Sequence, residues 1–116
     1  MKEAKIMNTQ DYEKRAKVFK ALAHPSRLLI VDKLSHGECC VCEFVEEIKA
    51  DFSTISKHLS VLKNAGLIAC EKRGQQVFYN LQMKCVSGFN QCVDQFLENG
   101  ANVQIFCQNN NQEVKK

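Results

Sequence analysis

The chain has 116 residues, 45% hydrophobic and 25% charged, with a net charge of +3 against 16 lysines and arginines. That length holds one domain with a thin core, which a second copy would supplement. The charge is too mild to indicate nucleic acid, so that case must rest on position. No run of about 18 apolar residues is present to span a membrane. The first eleven residues, with Lys2, Glu3, Lys5 and Gln10, lack the apolar stretch of a secretory signal. A cytoplasmic protein without membrane attachment is expected, and there seven cysteines, an odd number, do not read as a disulfide framework.

After an arm of residues 1–10, Tyr12, Ala16, Phe19 and Leu22 recur at helical spacing and predict a first helix over about Asp11–Ala23. His24-Pro25 breaks it, and Pro25 is well placed to open a second helix that Gly37 ends. Leu28, Leu29, Ile30, Val31 and Leu34 make that helix apolar on most sides, as a buried centre requires. A short third helix is predicted over Cys42–Lys49, with Phe44, Val45 and Ile48 inward. Asp51 caps a fourth over Ser53–Ala65, whose Ile55, Leu59 and Leu62 form one stripe before Gly66. Leu67–Lys72 and Gln76–Leu81 read as strands joined through Arg73-Gly74-Gln75. A last helix runs over Met83–Asn99, with Val86, Phe89, Val93 and Phe96 in register. Residues 11–100 therefore form one mostly α domain of order ααααββα, a winged helix-turn-helix with a β-hairpin wing. Residues 101–116 are a polar tail, expected to be disordered.

With its apolar stripe turned inward, the fourth helix leaves Ser53, Thr54, Ser56, Lys57, His58 and Ser60 outside. These are short hydrogen-bonding groups and one cation, with no carboxylate after Asp51. Such a face reaches phosphates and base edges, and the amino end of a recognition helix is the part that enters the major groove. A solvated helix face has the same composition, but Lys72, Arg73 and Gln75 then fall around the hairpin tip, where a wing touches flanking DNA.

Four stretches resemble the ArsR/SmtB family of metal-sensing repressors: Ala21-Leu22-Ala23-His24-Pro25-Ser26-Arg27-Leu28, Ser53-Thr54-Ile55-Ser56-Lys57-His58-Leu59, Leu62-Lys63-Asn64-Ala65-Gly66-Leu67-Ile68, and Gly74 to Leu81. The resemblance covers about half the chain, in order. It implies a homodimer formed through the first and last helices, a pseudo-palindromic operator in double-stranded DNA, and release of that DNA by an inducer.

Glu38-Cys39-Cys40-Val41-Cys42-Glu43-Phe44 is similar to the Cys-Val-Cys signature of arsenite and cadmium/lead sensors, carried over as Cys40 and Cys42. Thiolates select thiophilic ions, As(III) and Sb(III) taking three sulfurs, and a helix amino end lowers a thiol pKa. The inducer expected is As(III) or Sb(III), with no permanently bound cofactor. In a regular helix Cys39 and Cys42 share a face while Cys40 and Cys42 point apart, so gathering the last two requires distorting the first turn.

The family's arsenite sensors often carry a cysteine where this chain has Val45, leaving Cys39 to supply a third sulfur. Residues 1–38 hold no cysteine, against a four-thiolate cadmium/lead site, and Met83–Gly100 holds no histidine, against a zinc site.

Cys85 and Cys92 form a second candidate, on one face about 10 Å apart. Antiparallel pairing of two last helices near Gly88 and Phe89 would bring Cys85 of one copy to Cys92 of the other, for a metalloid or for reversible oxidation; packing in a helix seam is the alternative. A thiol-redox or persulfide-responsive repressor, or a soft-metal sensor, thus stays open. Cys70 reads as core and Cys107 as part of the tail, while His24, His36 and His58 lack partners at ligand spacing. Without a Cys-x-x-Cys in a βαβ setting, a Gly-rich phosphate loop or a nucleophile-base pair, no enzyme is expected.

Overall fold

The computed structural model describes residues 8–100. Expectations for residues 1–7 of the arm and for the tail, Cys107 included, fall outside them. The described order is α1 (Thr9–Leu22), α2 (Pro25–Leu34), β1 (Cys39–Cys40), α3 (Val41–Ile48), α4 (Phe52–Asn64), β2 (Ile68–Arg73), β3 (Gln76–Leu81) and α5 (Val86–Asn99).

Local chemistry sets most of these bounds. Asn8 and Asp11 form a reciprocal capping box at 3.0 and 3.2 Å, so α1 begins two residues earlier than the apolar spacing indicates. His24 caps α2, its Nδ1 accepting the Ser26 N–H at 3.0 Å, with Pro25 as the first helical residue. Asp51 caps α4, accepting the Thr54 N–H at 2.8 Å. Between α3 and α4 the turn passes through Lys49, at φ 62°. The wing turn places Gly74 at φ 64° as the first of two loop residues, a position that favours glycine.

The strand β1 has no counterpart among the elements expected from sequence. Two residues cannot display alternation, yet Cys39 pairs with Tyr79 and Cys40 with Phe78, making a three-stranded antiparallel sheet of order β1-β3-β2. The third helix accordingly starts at Val41, with Cys40 as an extended N-cap.

Residues expected in one domain fall into two compact units, one through Met83 and one from Lys84. The first is built around Ile30, Val31, Leu34, Phe44, Ile55, Leu59, Leu62, Leu67, Ile68 and Leu81, all buried. Each such side chain contributes about 1.5–3 kcal/mol by leaving water. In the second, α5 begins three residues later than predicted, because Gln82 and Met83 both donate to the Leu67 carbonyl, at 2.8 and 3.2 Å, instead of entering a helix. Cys85 is its N-cap. Val86 is buried, whereas Phe89, Val93, Phe96 and Leu97 expose apolar surface, as Tyr12 and Phe19 do on α1.

Candidate nucleic-acid interface and thiol cleft

Ile55, Leu59 and Leu62 face the core as their spacing indicates, leaving Ser53, Thr54, Lys57 and Ser60 fully outside. Ser56 and His58 are only half-exposed, a correction to the outward set read from sequence. Each lies one helical turn from a core position, so it borders the apolar stripe. Asp51 does more than cap: its Oδ1 also accepts from the Ser53 hydroxyl at 3.2 Å. Those bonds from Thr54 and Ser53, with Lys57 nearby, hold its carboxyl below the usual range.

His58 packs on the capping residue of α2, its ring centroid 4.3 Å from that of His24. Burial depresses its pKa, and the charges of His24 and Arg27 add to the effect. A histidine depressed in the fold binds fewer protons than in the unfolded chain. Stability is therefore fully present above the ordinary value of about 6.5 and declines as pH falls through it. The urea midpoint should drop between pH 7.5 and 5.5, and His58→Gln should flatten part of that slope; an unchanged slope would remove His58 as its source.

At the wing, Lys72 and Gln75 are exposed. Arg73 is not an open cation. Its guanidinium donates to both oxygens of Glu38 at 2.7 and 2.8 Å and to Glu71 at 3.0 Å, and lies 4.8 Å from the centroid of the Phe78 ring. The pair raises the Arg73 pKa further and lowers that of Glu38. Glu38 directly precedes β1, so this clamp ties the cysteine segment to the wing tip.

The three neighbouring cysteines divide. Cys40 and Cys42 line one cleft of about 220 Å³ together with Val41, Phe52, Gln75, Gln76 and Val77. The neighbouring Cys40 thiol, ahead of desolvation and the charge of Glu43, raises the Cys42 pKa. Because Cys40 is an extended cap and not a helical residue, no distortion is needed to bring these two together. Cys39 corrects the expected third sulfur. Strand alternation turns it away from Cys40; its thiol is directed to the Gly37 carbonyl at 3.6 Å, in a depression shared with Lys33, His36, Glu38 and Glu43. Burial, then Glu43, pushes its pKa up. The expected lowering of thiol pKa by the helix end is corrected as well. Glu43 already occupies that end, its Oε2 accepting the Cys40 N–H at 3.0 Å.

Among the described residues no three His, Cys, Asp or Glu side chains are gathered as metal ligands. Cys85 and Cys92 line a separate cleft on α5 with Gly88, Phe89, Gln91 and Gln95. Cys70 is half-buried opposite Tyr79.

Phe52 escaped the sequence reading. It opens α4 and is 63% exposed; the available signal was an aromatic residue outside the Ile55–Leu59–Leu62 stripe.

A helix-turn-helix followed by a two-stranded wing defines a winged-helix DNA-binding protein. The family model for bacterial regulatory proteins of the arsR family matches residues 24–69. An uncharacterised HTH-type transcriptional regulator of Methanocaldococcus jannaschii is 44% identical over 60% of this chain and 80% of that protein. The arsenical resistance operon repressor of Bacillus subtilis is 37% identical over 76% of this chain and 82% of that one. The homodimeric winged helix-turn-helix DNA-binding domain of a possible ArsR-family regulator from Mycobacterium bovis matches with a TM-score of 0.72 at 27% identity, over 84% of this chain and 94% of that one. The chain belongs to the arsR family of transcriptional regulators, DNA-binding proteins and not enzymes. Among the described residues no helix is long and apolar enough to cross a membrane.

Proposed function

We propose that this chain is a cytoplasmic, homodimeric repressor that leaves its double-stranded operator when As(III) or Sb(III) binds Cys40 and Cys42. DNA is read by Ser53, Thr54, Ser56, Lys57, His58 and Ser60 of α4 and by Lys72 and Gln75 of the wing, while Arg73, expected from sequence to join them, holds the tip through Glu38 and Glu71. The exposed apolar residues of α1 and α5 supply the contact between copies. The observation that carries this reading is the lining of the thiol cleft. Gln75 and Gln76 belong to the wing tip and Phe52 is the first residue of α4, so a ligand held by the two thiols presses on both DNA-reading elements at once. Coupling of this kind typically changes affinity by about 5–150-fold. Each thiol replaces one hydroxyl of As(OH)3, forming an S–As bond and releasing water, with arsenic remaining trivalent.

The test is fluorescence anisotropy on labelled duplex DNA selected by the protein from a random pool. Arsenite should release the wild-type protein. Cys40→Ser and Cys42→Ser should each need about a hundredfold more, and Cys39→Ser should respond within about threefold of wild type. An undiminished response in Cys40→Ser ends this reading.

The placing of Cys40 and Cys42 in one cleft also favours a second one: hydrogen peroxide takes two electrons and two protons from the pair, giving a disulfide and two waters. Release by peroxide but not by arsenite would select it. The α5 cleft keeps Cys85 and Cys92 as the place where a response surviving Cys40→Ser would be sought.

A further inference from the structure

Resting on that assignment of Cys40 and Cys42 as the inducer site, we propose that the cleft is built for monosubstituted trivalent arsenicals, R–As(OH)2 with an apolar R, in preference to inorganic arsenite.

As(OH)3 has three exchangeable hydroxyls and is satisfied by three thiols. Among the described residues this cleft offers two, Cys40 and Cys42. Cys39, the nearest further sulfur in sequence, is held on the opposite side of β1 by strand alternation and directed to the Gly37 carbonyl at 3.6 Å. Recruiting it would require breaking the pairing of Cys39 with Tyr79 and of Cys40 with Phe78. Arsenite held by two thiols therefore keeps a hydroxyl.

An R–As(OH)2 molecule has two hydroxyls only. Both thiols condense with it, two S–As bonds form, two As–O bonds break, and the two thiol protons leave with the hydroxyls as water. The As–C bond and the trivalent state are untouched, so no oxidant or reductant enters. The carbon substituent takes the third position.

The rest of the cleft suits that substituent. Phe52, Val41 and Val77 give it an apolar wall, and Phe52 is 63% exposed, with unused area beside the thiols. The volume of about 220 Å³ exceeds the roughly 150 Å³ that suffices elsewhere for a benzene molecule. A retained hydroxyl against the same wall gains nothing from it, and a hydrophobic pocket separates ligands by about 10–200-fold for each small apolar group it covers.

Titration calorimetry of the full chain with phenylarsonous acid and with arsenite tests this, each affinity being divided by that of the same arsenical for free dithiothreitol. That division removes the general liking of dithiols for organoarsenicals. The normalised preference for the phenyl compound should be about tenfold or more, with one bound per chain. Phe52→Ala should reduce it severalfold; Phe52→Leu should retain most of it, and as Phe52 is exposed neither change endangers the fold. Cys39→Ser should change neither affinity. Equal normalised affinities, a preference for arsenite, or a preference indifferent to Phe52→Ala overturns the proposal, even where Cys40→Ser abolishes both and so upholds the inducer site. Binding of both compounds that survives Cys40→Ser sinks the inducer site itself, and the proposal with it.

Discussion

Cadmium(II) should bind the Cys40–Cys42 pair about a hundredfold more tightly for each unit of pH gained from about pH 6 to 8, while As(III) binding changes by no more than about threefold. The difference lies in where the protons go. A free thiol ionises near pH 8.5, and the Cys40 thiol, followed by desolvation and Glu43, pushes Cys42 higher. That environment favours the neutral form of the Cys42 thiol. A divalent cation must displace a proton from each sulfur it binds, so its affinity carries the square of the hydroxide activity. Neutral As(OH)3 has no such debt to settle: each thiol proton departs with a hydroxyl as water.

Glu43 provides the control. Its carboxylate accepts the Cys40 N–H at 3.0 Å and raises the Cys42 pKa. Glu43→Gln keeps an acceptor but removes the charge, so cadmium binding at pH 7 should strengthen while arsenite binding holds steady. Calorimetry in two buffers of different ionisation enthalpy counts the protons directly. Release of no protons on cadmium binding would overturn this proton count, since a raised Cys42 thiol must give one up.

What could be read in the sequence divides by range. Ile55, Leu59 and Leu62 carry their burial in their spacing, and Asp51, Pro25 and Gly74 mark element ends through their own backbone and side-chain chemistry. These signals act within a few residues. The parts that were not legible depend on distant partners. β1 exists because Tyr79 and Phe78 arrive beside Cys39 and Cys40, and two residues have no periodicity of their own to announce a strand. That one absence misplaced the thiols. Continued as a helix, Cys39 shares a face with Cys42; as strand and cap, Cys39 turns away and Cys40 meets Cys42. The Arg73–Glu38 pair spans 35 residues and leaves no local trace. His58 is intermediate: its position at the edge of the stripe was readable, but its contact with His24 required the packing of α4 on α2.

On the wing the same pairing separates two basic residues that look equivalent in sequence. Lys72→Ala should lower the slope of log affinity against log salt by about 1, as removal of one phosphate-neutralising cation does. Arg73→Ala should leave that slope nearly unchanged. Its charge is already met by Glu38 and Glu71 at 2.7 to 3.0 Å, so no condensed counterion is displaced on its account. Being solvent-exposed, the clamp contributes little to stability, and Arg73→Ala should weaken DNA binding by no more than about fivefold. Its larger effect belongs to the coupling. Glu38 leads into Cys39 and Cys40, whereas Arg73 ends the strand before the turn that walls the thiol cleft. Without the clamp, β1 meets the wing only through its pairing with Tyr79 and Phe78, away from the tip, so a ligand on Cys40 and Cys42 moves the tip less. Arsenical-driven release should therefore lose amplitude in Arg73→Ala and in Glu38→Gln alike, and Arg73→Lys, which cannot form the two-pronged bond, should restore it only in part. A salt slope that falls by a full unit in Arg73→Ala would instead mean that the guanidinium leaves both carboxylates for a phosphate when DNA binds. The clamp would then be a feature of the free repressor alone.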